Sequence, residues 1–247
     1  MQYQHTKTWI FVLGLTFLIS ISCISCSLRR EEIVLEEEGY YLINPDTILA
    51  EIAQGKTDVF TQQNIPPETQ ISNSFNTVQW NQEDYLDIIR ALYSFVWNES
   101  IEDWNIRHIL FSMNCEDINS GPQFAYFILY RVDNVRETES RFERQIYIDP
   151  SNGSVKWSEV EYYPNLVHQR PIELAQYKVS ISNALQIAER NGGEKARTGV
   201  DNNCIVRTQL FNSNNQWRVS YLQVLDLFVV DVDALTGEYE IIVKETK

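Results

Sequence analysis

The chain has 247 residues, 44% hydrophobic and 12% aromatic, which is enough to fill one large core or two small ones and too apolar for a disordered tail. Its 20 basic and 34 acidic side chains give a formal net charge of -14. That charge repels the nucleic-acid backbone and anionic lipid surfaces, so nucleic acid is excluded as an expected partner.

The first elements in chain order are export signals. Residues 1–7 are short and carry Lys7, and residues 8–25 (TWIFVLGLTFLISISCIS) hold no charge, which is an n-region followed by an apolar h-region. The apolar run falls short of a comfortable bilayer span of roughly 20 residues and ends in small side chains, so cleavage is favoured over a permanent anchor. The endings Ser-Ile-Ser-Cys23 and Cys-Ile-Ser-Cys26 resemble the bacterial lipoprotein signal, although that signal prefers Leu, Val or Ile where this chain has Ser20 or Cys23. The resemblance implies lipidation at Cys26, with Cys23 as the alternative; ordinary secretion and an uncleaved anchor stay open. It also implies an exported protein tethered to the membrane of the bacterial cell envelope by an N-terminal lipid anchor.

Residues 29–38 (RREEIVLEEE) read as a solvated spacer. Asn44-Pro45 then opens a short helix with an apolar stripe at Ile48, Leu49, Ile52 and Ala53, closed by Gly55. Residues 56–77, with Pro66-Pro67 and many small polar side chains, read as an irregular connection. From Asn81, a cap with Asp84 three residues on, the spacing of Tyr85, Ile88, Ile89, Leu92, Tyr93 and Val96 predicts a helix. Four β-like runs follow at 106–113, 124–132, 142–149 and 154–162, the last turn being Asp149 to Gly153.

After a connection at 165–177 the same order returns. Ser180 or Ser182 caps a helix carrying Ala184, Leu185 and Ala188, Gly192-Gly193 is expected to end it, and strand-like runs follow at 204–211, 216–223, 225–233 and 238–243. Asp149 and Gly153 match Asp233 and Gly237 in position, which reads as a degenerate internal duplication. Residues 180–243, with ALQIAE on the helix, Trp217-Arg218-Val219-Ser220-Tyr221 on a strand and Val232 to Glu238 at the last hairpin, resemble a PepSY domain; residues 81–162 resemble it more weakly. The resemblance implies an α+β fold of two tandem units, each a helix packed on an antiparallel sheet. The chain then divides into a signal at 1–25, a tether and short helical region at 26–79, and units at 80–163 and 164–247. The resemblance further implies no catalysis, and a role in binding or restraining a protein or peptide partner in the envelope, such as a peptidase or a sensor.

The chemistry-bearing residues agree with a protein that is not an enzyme. Each Asp-to-Gly turn needs Asp to cap it and Gly to supply positive φ, which accounts for Asp149 and Asp233 without catalysis. Asp231 and Asp233 share a strand face, with Asp226 nearby, but no loop has calcium-ligand spacing. His108, His168, Cys115 and Cys204 lack the paired short spacings of zinc sites, and no Gly-x-Ser-x-Gly elbow occurs, so no metal or cofactor is expected. Trp97, Trp104, Trp157 and Trp217, with Tyr162, Tyr163 and Tyr221, suit a core better than a ligand platform. Cys115 and Cys204, the cysteines left after the signal, can pair as a disulfide or remain buried thiols, and their spacing does not decide. A structural lipoprotein that self-associates is the alternative function, and an envelope hydrolase a more distant one.

Overall fold

Asn81 begins the main helix as its sequence demands. Its side chain accepts from the Glu83 and Asp84 amides while Asp84 accepts from the Asn81 amide at 2.7 Å, a reciprocal box that satisfies otherwise orphaned donors. The computed structural model describes residues 32–64, 79–133, 140–163, 171–211, 215–223 and 226–244. Within them the helices are α1 (Ile48–Ala53), α2 (Gln82–Trp97), α3 (Ile181–Ala188) and α4 (Glu194–Thr198). The strands are β1 (Glu32–Leu42), β2 (Thr61–Gln63), β3 (Asn105–Asn114), β4 (Phe124–Asp133), β5 (Ser140–Asp149), β6 (Ser154–Tyr163), β7 (Ile205–Phe211), β8 (Gln216–Leu222), β9 (Asp226–Asp233) and β10 (Tyr239–Lys244).

The α+β architecture of two separate helix-on-sheet units is not what forms. All ten strands make one antiparallel sheet in the order β10-β9-β8-β7-β3-β4-β5-β6-β1-β2. The helix-then-four-strands order does occur twice along the chain, but β3 and β7 pair with each other from His108↔Phe211 to Asn114↔Ile205. The reason is the cost of sheet edges. Two independent sheets would leave β3 and β7 with unpaired N–H and C=O groups, and joining them removes both edges. One hydrophobic cluster accordingly runs beneath both halves, from Phe111 and Phe127 to Trp217 and Val230.

Two further expectations change. The spacer at 29–38 is, from Glu32 onward, part of β1, paired along β6 from Glu32↔Tyr163 to Leu42↔Ser154. Its glutamates at 36–38 are exposed, so the strand gains backbone pairing without burying their charge. Gly39 lies so close to the Trp157 indole that a Cβ there would overlap it, which fixes glycine at that point. Gly192-Gly193 does not end the second helix. Glu189–Gly193 forms a π-helical turn kinked at Gly192 (φ 128), and the chain runs on into α4. Gly193 packs against the Tyr221 hydroxyl where no Cβ would fit.

All four helices lie on one face. Tyr85 of α2 meets Phe111 of β3 edge-on at 5.3 Å and Trp97 meets Trp157 of β6 at 4.8 Å. On the other half the Trp217 indole donates to the Val179 carbonyl at 2.8 Å, just ahead of α3. The strand register places Trp157, Ile146, Phe127, Ile109, Leu210, Trp217 and Val232 in one transverse row on this side. Alternation then turns the intervening residues to the opposite face, which carries no helix among the described residues.

Candidate binding face

A single row shows what that uncovered face is made of. Reading across from β1 to β10 it runs Tyr40, Lys156, Tyr147, Tyr126, Leu110, Gln209, Arg218, Asp231 and Glu240. The Tyr126 and Tyr147 rings stack at 4.3 Å, Phe124 leans on Tyr147 at 5.8 Å, and His108 meets Tyr126 edge-on at 5.8 Å. The Lys156 ammonium sits 5.2 Å from the Tyr40 ring. Most of these side chains are half-buried, and Leu35, Val132 and Ile205 are exposed.

Next to the tyrosines lies a buried ionic cluster. Glu143, with no exposed surface, accepts from Arg107 and, at 2.9 Å, from Arg141, whose guanidinium also covers the Tyr162 ring at 4.4 Å. Two guanidiniums on one carboxylate offset the cost of taking it out of water. The helix side holds a counterpart. Arg144 is stacked on Trp97 at 3.9 Å and Trp104 at 4.0 Å, and donates to Glu99 at 2.8 Å and Glu159 at 2.6 Å. Burial raises the Glu99 pKa, but the bonds from Arg144 and Trp104 outweigh it and lower the carboxyl overall.

Burial, and after it the Arg107 charge, lowers the His108 pKa from 6.5 to about 4. The folded imidazole is therefore neutral at pH 7. The unfolded one takes up a proton that the folded one refuses, so falling pH favours unfolding between about 6.5 and about 4. Urea midpoints measured across that window should drop with pH in the wild type and change less in His108→Gln.

The residues singled out in the sequence are placed as follows. Cys23, Cys26 and His168 lie outside the described residues. Asp149 accepts from Ser151 Oγ at 2.5 Å and from the Asn152 amide at 3.1 Å, with Gly153 at φ 58 closing the turn. Asp233 accepts from the Leu235 and Thr236 amides, both at 2.8 Å, and those bonds hold its carboxyl below the usual range. Asp231 shares the strand face with Asp233 but is clamped by Arg218 through two bonds of 2.8 and 2.7 Å, which engage both of its carboxylate oxygens. Trp104, Trp157, Trp217 and Tyr221 are buried on the helix side, whereas Tyr162 belongs to the uncovered face. Cys115 and Cys204 are joined as a disulfide, with Cα atoms 5.3 Å apart.

Among the described residues, no three of His, Cys, Asp and Glu converge as metal ligands, and no helix is long and apolar enough to cross a membrane. The Arg107, Arg141, Glu143 cluster and the Tyr126–Tyr147 stack went unseen in the sequence. The available signal was Arg141 and Glu143 two apart on a strand, which puts two opposite charges on one face.

No family model matches the chain, so the resemblance to PepSY domains gains no support there, and no curated protein matches it. Among solved structures, that of a candidate lipoprotein from Clostridium difficile is similar, with a TM-score of 0.39 and 15% identity over 68% of this chain and 99% of that one. A likeness of that degree carries neither fold nor function across.

Proposed function

We propose that the chain is a non-catalytic lipoprotein of the bacterial cell envelope, acting as a binding or regulatory module for a protein or peptide partner. The observation that carries this reading is the uncovered sheet face, a broad, rigid surface of tyrosines and exposed aliphatic residues opposite the helices. Aromatic and aliphatic side chains on a preorganised scaffold are what protein interfaces use. The aspartates weighed as acid-base candidates in the sequence are engaged structurally, Asp149 and Asp233 in their turns and Asp231 with Arg218. Export is supported by the residues of the signal segment and by a disulfide, a bond that persists in oxidising compartments.

Capture of envelope proteins on the full-length chain tests the binding role. Val132→Glu with Ile205→Glu, both on the uncovered face, should abolish capture without shifting the thermal midpoint. The self-associating alternative draws on the exposed Tyr239, Ile241 and Ile242 of the edge strand β10, although the register shift between Ile241 and Val243 works against edge pairing. Recovery of the chain alone would favour that alternative. Lipidation is tested separately. Each buried methylene contributes about 0.8 kcal/mol and stable anchoring needs two chains. Labelled palmitate should enter the wild type and be lost in Cys23→Ala, Cys26→Ala; equal labelling of both rejects the lipid anchor.

A further inference from the structure

At the β1 end of the uncovered face is a cavity of about 580 Å³ between β1, β5 and β6, within the ~300–1,000 Å³ typical of small-molecule sites. We infer that it binds an uncharged saccharide, an activity beyond the docking of a protein partner proposed above and independent of it.

The wall of the cavity is aromatic. Tyr147 and Phe124 line it, while Tyr126, which does not, stacks on Tyr147 from the β4 side. The Tyr147 ring is thus braced on its β4 side, with Lys156 as its register neighbour on β6, so a ligand meeting the surface it turns to the cavity need not immobilise a mobile side chain. A flat C–H surface is the natural complement of such a ring.

Beyond the aromatic wall and Leu35 the cavity lining is polar; Asp149 is engaged in its turn, and four other side chains have hydrogen-bonding capacity to spare. Glu38, Gln145, Ser154 and Ser158 line it, and none of their side chains bonds to another described residue. Together they offer a carboxylate, an amide and two hydroxyls on rigid strands, donors and acceptors intermixed. A ligand satisfying both halves of this lining has an apolar face and a rim of hydroxyl groups, which is the surface of a pyranose ring. Charge narrows the class further. Glu38 and Asp149 outnumber Lys156, so an anionic sugar meets net repulsion in a chain that is itself strongly acidic.

Calorimetric titration of the full-length chain, solubilised in a detergent without a sugar headgroup, provides the test. The probes are maltotriose and tri-N-acetylchitotriose as uncharged saccharides and sialyllactose as an anionic one. At least one uncharged probe should bind, Tyr147→Ala should weaken it about tenfold, and Tyr147→Phe should keep the affinity. Gln145→Ala, which removes no packing from the core, should also weaken binding and serves if Tyr147→Ala is unstable. No binding of either uncharged probe at millimolar concentration overturns the inference. So does equal affinity in wild type and both truncations, or a preference for sialyllactose. None of these results touches protein capture through Val132 and Ile205, so the two proposals fail separately.

Discussion

Replacing Cys204 by Ser should lower the thermal midpoint by on the order of 10 to 20 °C, the largest effect expected of a single substitution here. The bond joins residues 89 apart in sequence, and constraining so long a loop in the unfolded chain is worth roughly 4 to 5 kcal/mol in the chain-entropy model. Its position adds to the effect. Asn114↔Ile205 is the last pair of the β3–β7 ladder, and the Cys115 amide donates to the Cys204 carbonyl at 3.0 Å just beyond it, so the bridge clamps the seam between the two halves. Differential scanning calorimetry with and without reductant measures the change. Reduced wild type and Cys204→Ser should melt together, and thiol titration of unreduced, denatured protein should find neither Cys115 nor Cys204 free. Coincident midpoints for oxidised and reduced wild type would reject the prediction.

Trp217→Ala should cost about 3 to 5 kcal/mol, the range for truncating a buried aromatic. Trp217 is 1% exposed and lies between Leu210 and Val232 in the register of the second half. Its indole also satisfies the Val179 carbonyl, which truncation would leave without that donor. Trp217→Phe should recover much of the packing but not the hydrogen bond, and fall in between. Asp149→Asn and Asp233→Asn set the contrast, because an amide oxygen still accepts from the turn amides and both should stay close to wild type. Chemical denaturation of the four variants decides the order. A midpoint for Asp233→Asn as low as that of Trp217→Ala would mean that the turn, rather than the core, governs this half.

Local order was legible and long-range assembly was not. Alternation gave the positions of β3 to β10 within a few residues, and Asn81 with Asp84 marked the start of α2, because both signals reside in neighbouring residues. The union of the two halves depends on β3 meeting β7, nearly a hundred residues on, and an alternating strand reads the same whether its edge is free or paired. β1 was missed because its run of glutamates suits solvent, and only the free edge of β6 makes a strand of it. The π-turn at Glu189–Gly193 was missed because paired glycines usually end a helix, whereas here Gly193 admits the Tyr221 hydroxyl and Gly192 faces the Phe228 ring. On the uncovered face Arg107 lies 36 residues from the Glu143 it pairs with, and no local pattern joins them.

The bond between Cys115 and Cys204 also closes the backbone into a covalent ring that contains β4, β5, β6, α3 and α4. A ring opened once is still a single molecule. One protease cut anywhere between those cysteines leaves two polypeptides that travel as one band on a non-reducing gel and separate only when thiol is added, whereas a cut before Cys115 or after Cys204 releases a fragment at once. Where proteases reach the chain, nicks in the connections of the ring would leave every strand of the sheet covalently joined to the rest.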